Sequence, residues 1–435
     1  MGNSSPSSLS SFPAAWGDAP AGTDSDGAPV ELPGGFGDGP AALAAWVQGH
    51  LGEDNAAADA ASAAAVAEAA AAGEGQRVAP LRVLTYNVNW GFNRTRASSG
   101  ATRVSRQATR VRRSLLDADA DIVCLQETHA GWEAVLVGGS SGGGSSAGPR
   151  SGAARELAAR YPHRAWRHPQ PADGTGAPFG PSGSAVLSKW PIRRQSVLHA
   201  SAAAAATTTA DAGGSGGDSD GDGAGGSGGS APGAAVAGSI FPAMLVTVDV
   251  PGLAAQAGSA PREPLRIRIL NVHLRPSIDA GLPPPGAGRG TKAAWYARSV
   301  GAYFSTPAVR LAELRRYVGE LRARRRQLPL LVAGDFNENE GGAGMRWLGR
   351  PGAEGGAGMS SAVAPFDARS PTWRWPLPLG SGYTTDRYDH IMHTPEFACA
   401  HGRIHQLDRG ASDHFPVIAD LVLSVAASSG QPNKE

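Results

Sequence analysis

The sequence predicts an α/β fold in which β-sheets pack face to face and helices flank them. Eight short apolar runs with strand character are spread over residues 81–423, whereas only two segments carry a credible helical period. Many strands with few helices bury their apolar faces only if sheets cover one another. Gly- and Ser-rich tracts separate the runs, and they read as loops inserted into one domain rather than as a repeat array.

In chain order, residues 1–40 are rich in Ser, Gly, Pro and Asp and are expected to be disordered. The stretch Ala41 to Ala72 is rich enough in Ala to form a helix, with little apolar periodicity to dock it. Strands are expected at Leu81–Val88, Ile122–Leu125, Ala185–Leu187, Met244–Val250, Leu265–Leu274, Leu328–Ala333, Tyr388–Met392 and Phe415–Leu423. In one of them Leu265, Ile267, Ile269, Asn271 and His273 share a face by strict alternation, so His273 ends a core-facing row. One helix is expected over about Arg106 to Leu116, with Ala108, Val111 and Leu115 inward. A second starts from an N-cap at Thr306 and a first-turn Pro307, and carries the stripe Leu311, Leu314, Val318 and Leu321. Inserted loops are expected near 138–152, 202–235, 277–290 and 341–359, a catalytic unit over 80–425, and disordered ends at 1–76 and 426–435.

Bulk properties narrow the function classes. The chain has 435 residues with 60 Gly and 33 Pro, so the folding portion is shorter than the total. Its 39 basic and 38 acidic residues nearly balance, but residues 1–76 hold ten acids and no Lys or Arg. The remainder is therefore basic, which suits either an anionic partner or a solvated Arg-rich surface. Two cysteines give no disulfide framework, and Cys124 sits in an apolar run as a small hydrophobe. No window is apolar enough to span a bilayer and no secretory signal is evident, so an intracellular location, cytoplasmic or nuclear, is expected. Met1-Gly2 opens like an acylation signal, but Pro6 stands where that pattern requires Ser or Thr.

Five polar clusters end or begin the apolar runs. They are Thr85-Tyr86-Asn87-Val88-Asn89; Gln126-Glu127; Asn271-Val272-His273-Leu274; Gly334-Asp335-Phe336-Asn337; and Arg387-Tyr388-Asp389-His390 paired with Ser412-Asp413-His414. Each residue alone has a simpler reading. Asn87 and Asn337 could bond their own backbone, Asp335 could be a turn aspartate, Asp389 a partner of Arg387, Glu127 a partner of an arginine, and His273 a satisfied core histidine.

The order of the clusters resembles the endonuclease/exonuclease/phosphatase superfamily. The resemblance covers about Arg82 to Leu423, and Gly183–Ser188 is similar to a family strand. It implies a four-layered α/β sandwich of two packed mixed β-sheets flanked by helices. It also implies a divalent-metal-dependent phosphoester hydrolase, because phosphoester hydrolysis needs charge neutralisation, an activated water and help for the leaving oxygen. Hard carboxylate oxygens suit Mg²⁺, with Mn²⁺ as a substitute. Carried over by resemblance, Glu127 is the principal metal ligand, Asn87 contacts phosphate or the metal's hydration shell, and Asp413 completes the metal's surroundings. Asp335 would activate water, with Asn337 holding Asp335 or a phosphate oxygen. His414 would stabilise the transition state, oriented by Asp389, while His273 would donate to phosphate or assist the leaving group.

Two departures bear on the substrate. Asn89 stands where many nuclease members carry a second acid, and Pro371-Thr372-Trp373 begins like an inositol-phosphatase signature but is separated from Asp386-Arg387 by an interposed segment. Trp90, Trp373 and Trp375 could stack bases or a headgroup, or simply pack loops. The segment with Trp295, Tyr296, Tyr303 and Phe304, together with Arg275, Lys292 and Arg298, could bind a polyanion or form a packed lid. The expectation is a monomeric phosphodiesterase acting on nucleic acid. The alternatives are a phosphatase or phospholipase-type member acting on inositol phosphates or sphingomyelin, and an inactive anion-binding module.

Overall fold

A computed structural model of the protein describes residues 56–58, 60–61, 63–68, 76–88, 100–128, 130–138, 152–168, 183–199, 241–252, 263–276, 289–322, 328–376, 383–405 and 411–426. Helical residues at 56–58, 60–61 and 63–68, here α1, fall in the Ala-rich stretch. Two six-stranded sheets follow. The first has the order β13 (Phe397–Ile404), β14 (Val417–Ala426), β1 (Gln76–Asn87), β2 (Ile122–Thr128), β4 (Gly183–Ser188), β3 (His163–Arg167). The second runs β5 (Ile192–Leu198), β6 (Ala243–Val250), β7 (Leu265–His273), β8 (Leu330–Asp335), β12 (Asp389–His393), β9 (Ser360–Ser361). A separate hairpin pairs β10 (Trp373–Pro376) with β11 (Tyr383–Asp386).

Both sheets are mixed in the same way. Each has one parallel pair at its centre, β1 with β2 and β7 with β8, flanked by antiparallel neighbours. A parallel pair needs a crossover, and each crossover here contains a helix. α2 (Gly100–Ala118) joins β1 to β2, and its Ala108, Val111 and Leu115 pack on Leu84, Tyr86, Val123 and Leu125 together with α3 (Ala130–Val137) and α4 (Gly152–Arg160). α5 (Arg289–Arg322) joins β7 to β8, and Leu314, Val318 and Leu321 pack on Leu270, Val272 and Val332. Between the sheets lie Val83, Ile122, Cys124, Val186, Val246, Ile267, Ile269, Leu331, Ala333, Ile391 and Leu421. The result is the expected four-layered α/β sandwich.

Three expectations about elements change. The second helix does not begin at Thr306; α5 starts at Arg289 and passes through Pro307, which costs one backbone hydrogen bond but not the helix. The preceding residues, with Ala293, Ala294, Ala297 and Ala302 among them, supply helix propensity that the Thr-Pro signal obscured. The segment 341–359 is not an expanded loop. It contains α6 (Ala343–Gly349), and Met345, Leu348, Ala357 and Met359 are buried against the α5 side of the second sheet. Strands β3, β5 and β13 were also not legible; β5 reads Ile-Arg-Arg-Gln-Ser-Val-Leu, whose exposed edge position removes the apolar alternation.

Candidate active site

The four parallel strands end at the same edge of the sandwich, and each ends in a polar residue: Asn87, the Gln126–Thr128 segment, His273 and Asp335. Strand alternation explains three of the four. Val83 faces the inter-sheet core and Asn87 continues its row; so do Ile269 and His273, and likewise Leu331, Ala333 and Asp335. One step below this tier the same rows carry Thr85, Gln126 and Asn271, which bind each other across the sheets. Gln126 Nε2 donates to Asn271 Oδ1 at 2.8 Å and lies 3.0 Å from Thr85 Oγ1, and Asn271 Nδ2 donates to the carbonyls of Leu125 and Ala185.

Glu127 breaks the alternation. With Gln126 facing the core, a regular strand would turn Glu127 outward towards the helices. A register irregularity between Gln126 and Thr128, with Glu127 at φ 56°, re-aims it into the cleft. Its Oε1 lies 3.3 Å from Asn87 Nδ2 and 3.8 Å from His273 Nε2. Asn337 is the second left-handed residue here, at φ 52°, in the turn that leaves β8.

Asp335 is the centre of the cluster. Its Oδ2 accepts from Asn87 Nδ2 at 2.9 Å and lies 3.6 Å from His273 Nε2 and 3.7 Å from His414 Nε2, while its Oδ1 accepts the Asn337 backbone N–H at 2.8 Å. The turn-aspartate reading thus describes one oxygen and leaves the other aimed into the site. Asn337 holds Asp335 through its backbone, while its side-chain amide donates to Leu274 O at 2.9 Å. Asp389 does not pair with Arg387, whose guanidinium lies 3.1 Å from Glu340; its Oδ2 binds His414 Nδ1 at 2.8 Å. The Ser412 hydroxyl donates to Asn87 O at 2.7 Å and lies 3.4 Å from Asp413 Oδ1, placing buried Asp413 beside the end of β1.

Burial is the largest influence on both members of the Asp389–His414 pair. It raises the Asp389 carboxyl to about 6 against the pull of His414. It would by itself lower His414, but Asp389, Asp335 and Asp413 outweigh it and hold the imidazole protonated well above the ordinary histidine range. Activity that needs the charged pair is expected to rise as pH passes about 6 and to fall only above neutrality. Asp389→Asn removes a charge that raises His414, so the alkaline limb of kcat/KM against pH should move to lower pH; an unmoved limb would separate the two residues functionally.

Asp335, Asp389 and His414 offer ligand atoms within 4.8 Å of one another. His414 Nδ1 is committed to Asp389, however, and an imidazolium has no lone pair for a cation. The hard oxygens of Glu127, Asn87 and Asp413 fit a divalent cation better, and the Glu127 side chain is 23% exposed, within reach of a hydrated ion. Arg275 follows Leu274 at the rim and is half-buried. Asn89 and Trp90 lie outside the described residues, as do the side chains of Lys292, Trp295, Tyr296, Arg298, Tyr303, Phe304 and Trp375.

Two residues that bind the site together stood in sequence motifs without a role of their own. Buried Thr372 accepts the backbone N–H groups of Tyr388 and Asp389 at 2.9 Å each, and its own carbonyl accepts from Phe415 N. His390, whose pKa burial lowers to about 4, is neutral and sets Nε2 3.0 Å from Glu338 O and 3.1 Å from Arg387 O. Both are spacers between loops, a role that exists only once the loops meet.

The profile of the Endonuclease/Exonuclease/phosphatase family matches residues 84–414, from the middle of β1 to His414. The chain belongs to this family. Its members are divalent-metal-dependent phosphoester hydrolases. Similar solved structures include an endonuclease/exonuclease/phosphatase from Beutenbergia cavernae, at 21% identity over 80% of this chain and 72% of that one, with a TM-score of 0.44. The human Nocturnin catalytic domain with bound sulfate is 13% identical over 79% and 94%, with a TM-score of 0.42. TDP2 from D. rerio complexed with a single-strand DNA product is 12% identical over 79% and 98%, with a TM-score of 0.42. No curated protein matches the sequence. No helix among the described residues is long and apolar enough to cross a membrane.

Proposed function

We propose that this protein is a metal-dependent phosphodiesterase that hydrolyses nucleic acid. The observation that carries the reading is the position of Asp335 Oδ2, a buried carboxylate oxygen ringed by Asn87, His273 and His414. Asp335 takes the proton of the attacking water, and the Asn337 N–H on its other oxygen keeps the carboxylate oriented. His414, held as imidazolium by Asp389, donates Nε2–H to the phosphoryl oxygens as negative charge builds on them. His273 donates to phosphate or to the leaving oxygen, Asn87 contacts the phosphate oxygens while Asn337 keeps Asp335 and the β7 exit in place, and Arg275 at the rim binds the substrate's remaining negative charge. A divalent cation, Mg²⁺ or Mn²⁺, held by Glu127, Asn87 and Asp413 would neutralise the phosphate and stabilise the leaving oxygen.

A nucleic-acid substrate is favoured by the β10–β11 hairpin. Trp373 bridges to His414 on the backbone and packs against Tyr388 with centroids 5.1 Å apart and ring planes tilted by 35°, so a half-buried aromatic ledge adjoins the histidine. Such a face suits a base next to the scissile phosphate. The test is a panel of single- and double-stranded DNA, RNA, inositol phosphates and sphingomyelin, with Mg²⁺ or Mn²⁺ and with chelator. Metal-dependent release of nucleotides is expected. Free phosphate or phosphocholine as the dominant product would reassign the substrate, and no turnover of any of them would leave an anion-binding module.

A further inference from the structure

Arg310 lies on the face of α5 turned towards the site and is almost fully buried, at 3% exposure. Its Nε donates to the backbone carbonyl of Arg275 at 2.6 Å, two residues beyond His273. Burial disfavours its charge, and the carboxylates that favour it are led by Glu338 and then Asp335. Glu338 is buried as well; its Oε1 accepts the Met345 N–H at 2.9 Å at the start of α6, and Oε2 has no hydrogen bond among the described residues. A buried arginine is costly to keep, so its place behind two catalytic loops calls for a reason.

The loops supply one. The exit of β7 is gripped at successive residues: Leu274 N donates to Asp335 O, Leu274 O accepts from the Asn337 side chain, and Arg275 O accepts from Arg310. The first two grips come from the β8 turn, which is itself held at the start of β12 by the Phe336 N–H on Tyr388 O and by His390 beside Glu338 O. Arg310 is the grip that comes from a helix, and its other charge partner, Glu338, belongs to the β8 turn.

We infer that Arg310 is a positioning residue of this active site, clamping the turn after His273 and the turn after Asp335 to α5. It touches no reacting atom. It sets the direction of the His273 imidazole and the place of the Arg275 side chain, where a shift of about 1 Å costs on the order of 10²-fold in rate.

The inference rests on the phosphodiesterase reading, and the experiment separates the two. In the full chain, Arg310→Met is expected to lower kcat on bis(p-nitrophenyl) phosphate with Mn²⁺ by about 10²-fold, with KM changed less than about 5-fold. Arg310→Lys should restore kcat to within about 10-fold of wild type, because an ammonium can still reach the Arg275 carbonyl. Amide exchange should rise selectively in peptides covering residues 272–276. Because Arg310→Met takes from buried Glu338 the leading positive charge that offsets its burial, Arg310→Met with Glu338→Gln is the companion variant; it should recover thermal stability but not kcat. Wild-type kcat in Arg310→Met or in the double variant, or exchange unchanged at 272–276 in Arg310→Met, would overturn the clamp. Absence of hydrolysis by the wild-type chain would instead overturn the phosphodiesterase reading, and the exchange measurement would still decide whether Arg310 holds the turn.

Discussion

Asp335→Asn should lower kcat by at least about 10³-fold while the protein stays folded. The substitution is isosteric and removes only the negative charge and the ability to take a proton. Two arrangements are open to the new amide, and each loses a contact. With its oxygen on the Asn337 N–H, its NH₂ faces Asn87 Nδ2, His273 and His414; flipped, it faces the Asn337 N–H instead. Losing one buried hydrogen bond costs about 1–3 kcal/mol, partly offset because a carboxylate no longer has to be desolvated. The prediction is therefore a dead enzyme with a melting curve close to wild type. His414→Ala should be as inactive, since it removes the imidazolium that faces the same oxygen, but it should also lower stability because buried Asp389 loses its partner. Hydrolysis of an activated phosphodiester at wild-type rate by either purified variant would refute the mechanism.

Gly334→Ala should do the opposite, destroying the fold and the activity together. Gly334 sits at φ 149° one residue before the end of β8, and a Cβ there would lie 1.9 Å from Val272 O, 2.8 Å from its carbonyl carbon and 2.9 Å from its N. All three are backbone atoms of the paired strand, so no rotamer change relieves the overlap and β8 must separate from β7. Such overpacking is expected to cost more than about 3 kcal/mol, a large part of the total stability of an ordinary domain. The next residue pair in the register is His273 with Asp335, so the displacement falls directly on the site. Gly352→Ala is the control, because nothing lies within 4 Å of its added Cβ and the change should stay within about 0.5 kcal/mol. Urea unfolding of the two variants measures the contrast; equal midpoints would show that the β7–β8 pair yields without cost.

Much of the fold was legible because strands buried on both faces must be apolar nearly throughout. β6 and β8 have every residue buried, and their runs stand out from the Gly- and Ser-rich tracts. Edge strands escape that requirement, which is why β3 and β5 were missed. At 341–359, glycines hid a helix whose few large side chains, Met345 and Leu348, do the packing. A Cβ at Gly342 or Gly344 would meet the Glu338 side chain at about 2.5 Å, so glycines there leave room for that buried carboxylate.

The candidate site divides in the same way. Residue types and strand ends were readable one strand at a time: the polar residue that follows an apolar row, as His273 follows Ile269 and Asn271, is a local pattern of period two. By itself the sequence determined the family, the sandwich and the set of polar strand ends, because those follow from local periodicity and from residue order. Only the tertiary structure decided which oxygen of Asp335 faces the cleft, that Asp389 belongs to His414 and not to Arg387, that Glu127 is turned inward by a left-handed residue, and that Arg310 reaches the turn after His273. Those are contacts between strands and helices far apart in the chain, and their distances are set by how two sheets and their crossover helices pack.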